Sequence, residues 1–268
     1  MDESGADRAP FKRHARKRRL EGLIKSERIA ALVVNTRSRR GERHYAKARS
    51  LLGERGFKLD VCYAVSDPSR LPGIVRSLIA GGHKLVIVGD GTVSSVVDLF
   101  AYKDVVFGLL PLGTANSFAR TLSIKGAVDV IADGKVVDID LGKVNDDYFA
   151  NTADLGLALS VARATPYRLK RYLGRAGYLL TGGAKFLSHK PFQCTLTGEG
   201  IDLRVDATLD VLIAKGRYFG GMPVIEEAAV ESRDLVILIV KGPTGSNLVK
   251  AWPRLESARR FVETVRGA

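Results

Sequence analysis

Leu85-Val-Ile-Val-Gly-Asp-Gly-Thr92 is the stretch whose reading decides the fold. The apolar run Leu85 to Val88 predicts a strand buried on both faces. It stops at Gly89-Asp90-Gly91-Thr92, and Val93, Val96, Val97 and Phe100 then recur at helical spacing. Strand, glycine turn and helix therefore follow without a gap. Glycine has no Cβ, so a ligand can come close to the backbone there. A helix starting at Thr92 or Val93 turns its unpaired N–H groups and positive dipole end toward the turn, an arrangement that suits a phosphate. An ordinary strand-to-helix turn carries the same residues, so this stretch alone leaves both readings open.

A second turn shifts the balance. Phe107-Gly-Leu-Leu-Pro-Leu-Gly-Thr-Ala-Asn-Ser-Phe-Ala-Arg120 is another apolar run closing on Gly113-Thr114, followed by small polar residues and a helix-like segment. Asn116 and Ser117 can cap that helix, and Asn116 can equally contact a ligand. Two neighbouring strands ending in Gly-Thr turns place both loops at the carboxyl edge of one sheet, where open α/β sheets bind ligands.

The pair Gly89-Asp90-Gly91-Thr92 and Pro111-Leu-Gly-Thr-Ala-Asn-Ser-Phe-Ala-Arg120 resembles the catalytic domain of diacylglycerol kinases and of the related bacterial lipid kinases and sphingosine kinases. The likeness begins at Val33-Val-Asn35. It continues through Asp138-Ile-Asp-Leu-Gly-Lys-Val-Asn145 and Tyr148-Phe-Ala-Asn151, covering residues 28 to 240 or so. The first motif is shared with NAD kinases and phosphofructokinases; the pair at this spacing is more specific.

The resemblance implies an α/β nucleotide-binding domain followed by a mostly antiparallel β-sandwich domain, with the active site in the cleft between them. It implies ATP and Mg2+ as cofactors, and transfer of the γ-phosphate to the hydroxyl of diacylglycerol or a similar lipid. Phosphoryl transfer needs a phosphate cradle, a metal and a group that takes the hydroxyl proton. Asn35, Gly89, Asp90, Gly91, Thr92, Gly113, Thr114 and Asn116 are the expected nucleotide-binding residues. Asp90 sits where a carboxylate can hold Mg2+ directly or through water. The resemblance makes Asp140 a second acid of that network, although Asp140 reads equally as a turn residue after a strand.

The chain also departs from the family's pattern. Thr36 and Arg39 replace the proline and glycine of an Asn-Pro-x-Ser-Gly loop, and Val88 replaces the first glycine of Gly-Gly-Asp-Gly-Thr. Ser95 and Ser117 stand for the family's Glu and Asp, and Glu231-Ser232-Arg233 for an Asp-Asp-Gly tied to a structural Mg2+. The family's closing Asp-Gly-Glu, whose acid is thought to take the lipid proton, has no counterpart. The chain is therefore expected to be a truncated or degenerate member, with Glu226, Glu227 and Glu231 as candidates for a substituting catalytic acid. Two alternatives follow: a non-catalytic nucleotide- or lipid-binding relative, and an NAD kinase, against which the second motif and a missing Asn-Glu signature speak.

The 268 residues suffice for one large or two modest domains, and hydrophobic and charged contents of 46% and 26% are those of a globular protein. No apolar run is long enough to span a bilayer, and no apolar leader is apparent, so a cytoplasmic setting is expected. Cys62 and Cys194, among four scattered histidines, make neither a disulfide framework nor a zinc site. The net charge of +13 predicts attraction to an acidic partner. With 7% aromatics and no basic–aromatic interleaving, nucleic acid is not expected; an anionic membrane surface is, with peripheral attachment at the inner face. Oligomeric state is left open, a homodimer included.

Residues 1–27, with the basic run Lys12 to Arg19, read as a solvated, disordered tail rather than as an amphipathic helix on a membrane. Residues 28–127 read as the α/β domain: strands at Arg28–Val34 and Lys58–Val65, and helices at Tyr45–Arg55 and Leu71–Ala80, the last stopped by Gly81-Gly82. Arg37, Arg39 and Arg40 crowd the loop after the first strand. Residues 128–268 read as a β-rich, incomplete second domain. Its expected strands are Val136–Leu141, Tyr148–Thr152, Phe192–Thr197, Leu203–Ala214 and Leu235–Lys241, with helical character at Tyr167–Leu187 and Leu248–Val265.

Overall fold

In the computed structural model the described residues are 8–36, 41–113, 115–165, 189–198, 200–226, 228–242 and 262–267. Thr114, Glu227, Arg37, Arg39, Arg40 and the helix expected at Tyr167–Leu187 lie outside them. The chain divides into two compact units: residues 1–139, 145–150 and 220–222, and residues 140–144, 151–219 and 223–268.

The first unit contains α1 (Arg8–Glu27), β1 (Ile29–Asn35), α2 (Gly41–Glu54), β2 (Lys58–Val65), α3 (Leu71–Ala80), β3 (Leu85–Gly89), α4 (Val93–Val96), β4 (Val106–Leu110), α5 (Ser117–Thr121) and α6 (Ala127–Ala132). The strands form one four-stranded parallel sheet in the order β2-β1-β3-β4. Their period of two divides the apolar residues between two cores. Ala30, Leu32, Val34, Leu85 and Ile87 point to one face, where Ala48 and Leu52 of α2 and Ile131 of α6 cover them. Ala31, Val33, Val86 and Val88 point to the other, against Leu71, Val75 and Leu78 of α3. This two-sided burial is why β1 and β3 read as continuous apolar runs. Val88, which replaces a family glycine, is fully buried in the second core and belongs to the strand rather than the turn.

Three expectations are corrected here. Residues 8–27 are helical, not a disordered tail: Leu20 and Ile24, one helical turn apart, are buried. Such burial contributes about 1.5–3 kcal/mol per side chain, enough to order a segment whose own charges repel. The helix after Thr92 is a four-residue α-turn between two short 3-10 turns, with Val96 at φ −133° interrupting it. β-Branched residues and serines favour this break, and Ser95 Oγ donates to the Thr92 carbonyl at 2.7 Å. Finally, Val136–Leu141 is not a strand. Its backbone donors find other partners: Glu21 Oε1 accepts from Val136 N–H at 2.9 Å, and the Val230 carbonyl accepts from Asp140 N–H at 2.7 Å.

After α6 come β5 (Gly142–Val144), β6 (Asp147–Phe149), β7 (Thr152–Gly156), α7 (Leu157–Ala164), β8 (Phe192–Gly198), β9 (Ile201–Ala214), β10 (Tyr218–Phe219), β11 (Met222–Pro223), β12 (Leu235–Lys241) and β13 (Val262–Gly267). The second unit is built on an antiparallel five-stranded sheet, β13-β12-β9-β7 with β8 also on β9. The 14-residue β9 is long enough to pair with β8 along its first half and with β7 and β12 along its second. Val262–Gly267 is a strand, which corrects the helical character expected to run to Val265; residues 248–261 lie outside the described residues.

Candidate nucleotide site

Strand order creates the site in the first unit. The chain leaves β1 toward β2 on one side, while β3 and β4 follow on the other, so the order reverses between β1 and β3. Ligands of open α/β sheets bind at the carboxyl ends of strands at such a reversal. The register pairs Val33 with Val88, so Asn35 at the end of β1 stands level with Asp90 just beyond β3. Gly89 in turn pairs with Leu110 of β4. Asn35, Gly89-Asp90-Gly91-Thr92 and Pro111-Leu112-Gly113 thus end on one edge.

The two glycine turns are side by side. A Cβ built on Gly113 would stand 3.9 Å from the Gly91 amide nitrogen and 3.0 Å from Asn116 Oδ1. A Cβ on Gly91 would meet nothing within 4 Å, so packing does not demand glycine there, and a bound group can reach the backbone. Thr92 is buried, with 1% of its surface exposed.

Asp90 joins the turns. Its Oδ2 accepts a hydrogen bond of 2.8 Å from Ala119 N–H, in the first turns of α5. Burial pushes the Asp90 carboxyl up from its ordinary value, and the N–H groups of Ala119 and Phe118 pull it back. Asp90 thus does for α5 what Asn116 and Ser117 were expected to do as caps. Asn116 instead adopts a left-handed conformation (φ 47°, ψ 45°) and makes no cap bond. Its Oδ1 accepts from Gly113 N–H at 2.7 Å and its Nδ2 donates to the Pro111 carbonyl at 3.2 Å, closing the second turn on itself. Ser117 Oγ accepts from Gly221 N–H at 3.0 Å, a bond to a residue 104 positions later that no local pattern announces.

Asp140 belongs to the second unit. Its Oδ2 accepts from Arg233 N–H at 3.0 Å and lies 3.8 Å from Lys215 Nζ. Lys215 is almost wholly buried and donates to the Asp234 carbonyl at 3.0 Å. The sequence signal for Lys215 is a lone cation closing the apolar run Val211–Ala214. Glu226 and Glu231 are exposed, on the segment between β11 and β12. A further pair was not anticipated. Asp154 on β7 and Asp210 on β9 are diagonal neighbours across the antiparallel ladder, and Asp210 Oδ1 accepts from Ala158 N–H at 3.1 Å at the start of α7. Burial, then the adjacent Asp210 carboxylate, pushes Asp154 up to about 7.

Among the described residues no group of three or more His, Cys, Asp or Glu side chains is arranged to hold a metal. A Mg2+ bound to nucleotide phosphates requires only one or two protein carboxylates, and Asp90 beside the open glycine backbone is the residue that could supply one. Among the described residues no helix is long and apolar enough to cross a membrane.

The profile of the "Diacylglycerol kinase catalytic domain" matches residues 30–144. A protein of Yersinia enterocolitica named "Probable lipid kinase YegS-like" is 37% identical over 166 residues, 58% of this chain and 54% of the relative. One of the same name from Klebsiella pneumoniae is 34% identical over 185 residues, 66% of this chain and 59% of the relative. The chain thus spans somewhat over half the length of the curated relatives it matches. The crystal structure of a diacylglycerol kinase from Bacillus anthracis superposes with a TM-score of 0.67 at 22% identity, covering 90% of this chain and 84% of that one. The matched motifs are those at the sheet edge, and the fold is shared: residues 30–144 carry the diacylglycerol kinase catalytic domain.

Proposed function

We propose that the protein is an ATP-dependent lipid kinase, transferring the γ-phosphate to the hydroxyl of diacylglycerol or a similar lipid at an anionic membrane surface. The observation that carries this reading is the meeting of two glycine turns at the reversal of strand order, with the Asp90 carboxylate between them. In this reading the backbone of Gly89 to Thr92 and of Gly113, with Thr114, receives the phosphates. Asn35 borders them from β1, and Asn116 keeps the Gly113 turn in shape. When bound, Mg2+ neutralises charge developing on the transferred phosphoryl group. Asp90 would hold that ion, and its carboxylate is itself oriented by Ala119 N–H.

The test is transfer of labelled γ-phosphate from ATP/Mg2+ to diacylglycerol by the purified chain, with Asp90→Ala as control. Transfer lost in the control supports the reading. ATP binding without transfer would replace it with the non-catalytic relative.

A further inference from the structure

Helix α1 precedes the matched domain and contributes nothing to the site just described, yet it is fixed to the first unit in one rotational setting. Leu20 and Ile24 are 3% and 5% exposed, with Ile24 in the core beneath the sheet. Glu21 turns inward and accepts from Val136 N–H. Arg16 pairs with Asp138 at 3.5 Å, and Arg19 pairs with Asp104. Lys25 lies along Gly134 so closely that a Cβ there would stand 2.9 Å from its Cγ.

This setting separates the charges. The one acid in the middle of α1 is spent on a backbone amide, while Arg18 and Lys25 remain exposed. Arg18 and Lys25 are seven residues apart, two helical turns, and so share the outward side of the helix. Lys12 and Arg13 extend the same composition toward the helix start. Leu20 and Ile24 are already buried, so they are not available for insertion into a bilayer. What α1 offers is a rigid cationic face, which attracts an anionic surface with a strength that falls as salt rises.

We infer that α1 is an electrostatic docking face for anionic lipid headgroups, holding the first unit against the membrane without inserting into it. The choice of lipid over nucleic acid rests on the lipid-kinase reading; the charge segregation does not. Co-sedimentation of the full chain with phosphatidylglycerol/phosphatidylcholine vesicles, without ATP, reads the docking alone. Binding is expected to rise with phosphatidylglycerol content and to weaken at high salt. The double variant Arg18→Glu/Lys25→Glu, at exposed positions, is expected to bind about tenfold more weakly or less while keeping its circular dichroism and melting temperature. A double variant that binds like the parent overturns the inference, as does binding to a duplex oligonucleotide with vesicles left unbound. Lipid phosphorylation in neutral detergent micelles separates the two readings. Turnover there without vesicle binding removes the docking face and leaves the kinase, and α1-dependent binding without turnover does the reverse.

Discussion

Asp90 and Ala119 are 29 residues apart in sequence and 2.8 Å apart in space, carboxylate oxygen to amide nitrogen. One side chain therefore serves two ends: it stands in the glycine turn after β3, and it holds the start of α5 after the neighbouring turn. This bond ties the two turns together beyond the pairing of Gly89 with Leu110.

The double duty makes Asp90→Asn more informative than Asp90→Ala. Asparagine retains an oxygen that can accept from Ala119 N–H, so the turns should keep their relation and the melting temperature should stay close to the parent's. The negative charge is lost, and phosphoryl transfer is expected to fall by about 10²–10³-fold, the usual scale for removing one electrostatic contribution from an active site. Steady-state kinetics beside thermal unfolding checks this; an asparagine variant with parental turnover would show that Asp90 is structural only.

Lys215 has a comparable role in the second unit, between the Asp234 carbonyl and Asp140. Lys215→Ala leaves both without their cation and opens a void where a buried stem had been. Stability is expected to drop by about 3 kcal/mol, near the lower end for breaking a buried pair. Denaturant titration measures it, and Lys215→Met, which keeps the stem, should recover part of the loss.

Asp154 and Asp210 predict a pH dependence. Burial and the neighbouring carboxylate raise Asp154 to about 7 in the folded chain, against 3.8 as its ordinary value. The folded state therefore binds a proton more tightly than the unfolded one. The associated stability is fully present below the unfolded value and is lost as pH rises through about 7. Melting temperatures measured from pH 5 to pH 8 should show this decline, and Asp154→Asn should flatten it. Among the described residues His189 acts on Asp210, so His189→Gln tests whether the imidazole moves the transition.

What the sequence by itself determined is whatever depends on local periodicity. The run Leu85–Val88 is a strand because both its faces are buried, and alternation placed Leu203–Ala214 and Leu235–Lys241 in an antiparallel sheet. The two glycine turns, and the family they point to, were legible because backbone approach restricts residue choice at fixed positions. Tertiary structure decided the relations between distant residues. Ser117 meets Gly221, Lys215 meets Asp140, and Asp154 meets Asp210 because of strand register and loop closure, and no short window of sequence encodes either. It also decided the fate of residues 8–27: composition alone favours a solvated tail, and only a core with room for Leu20 and Ile24 makes a helix of it.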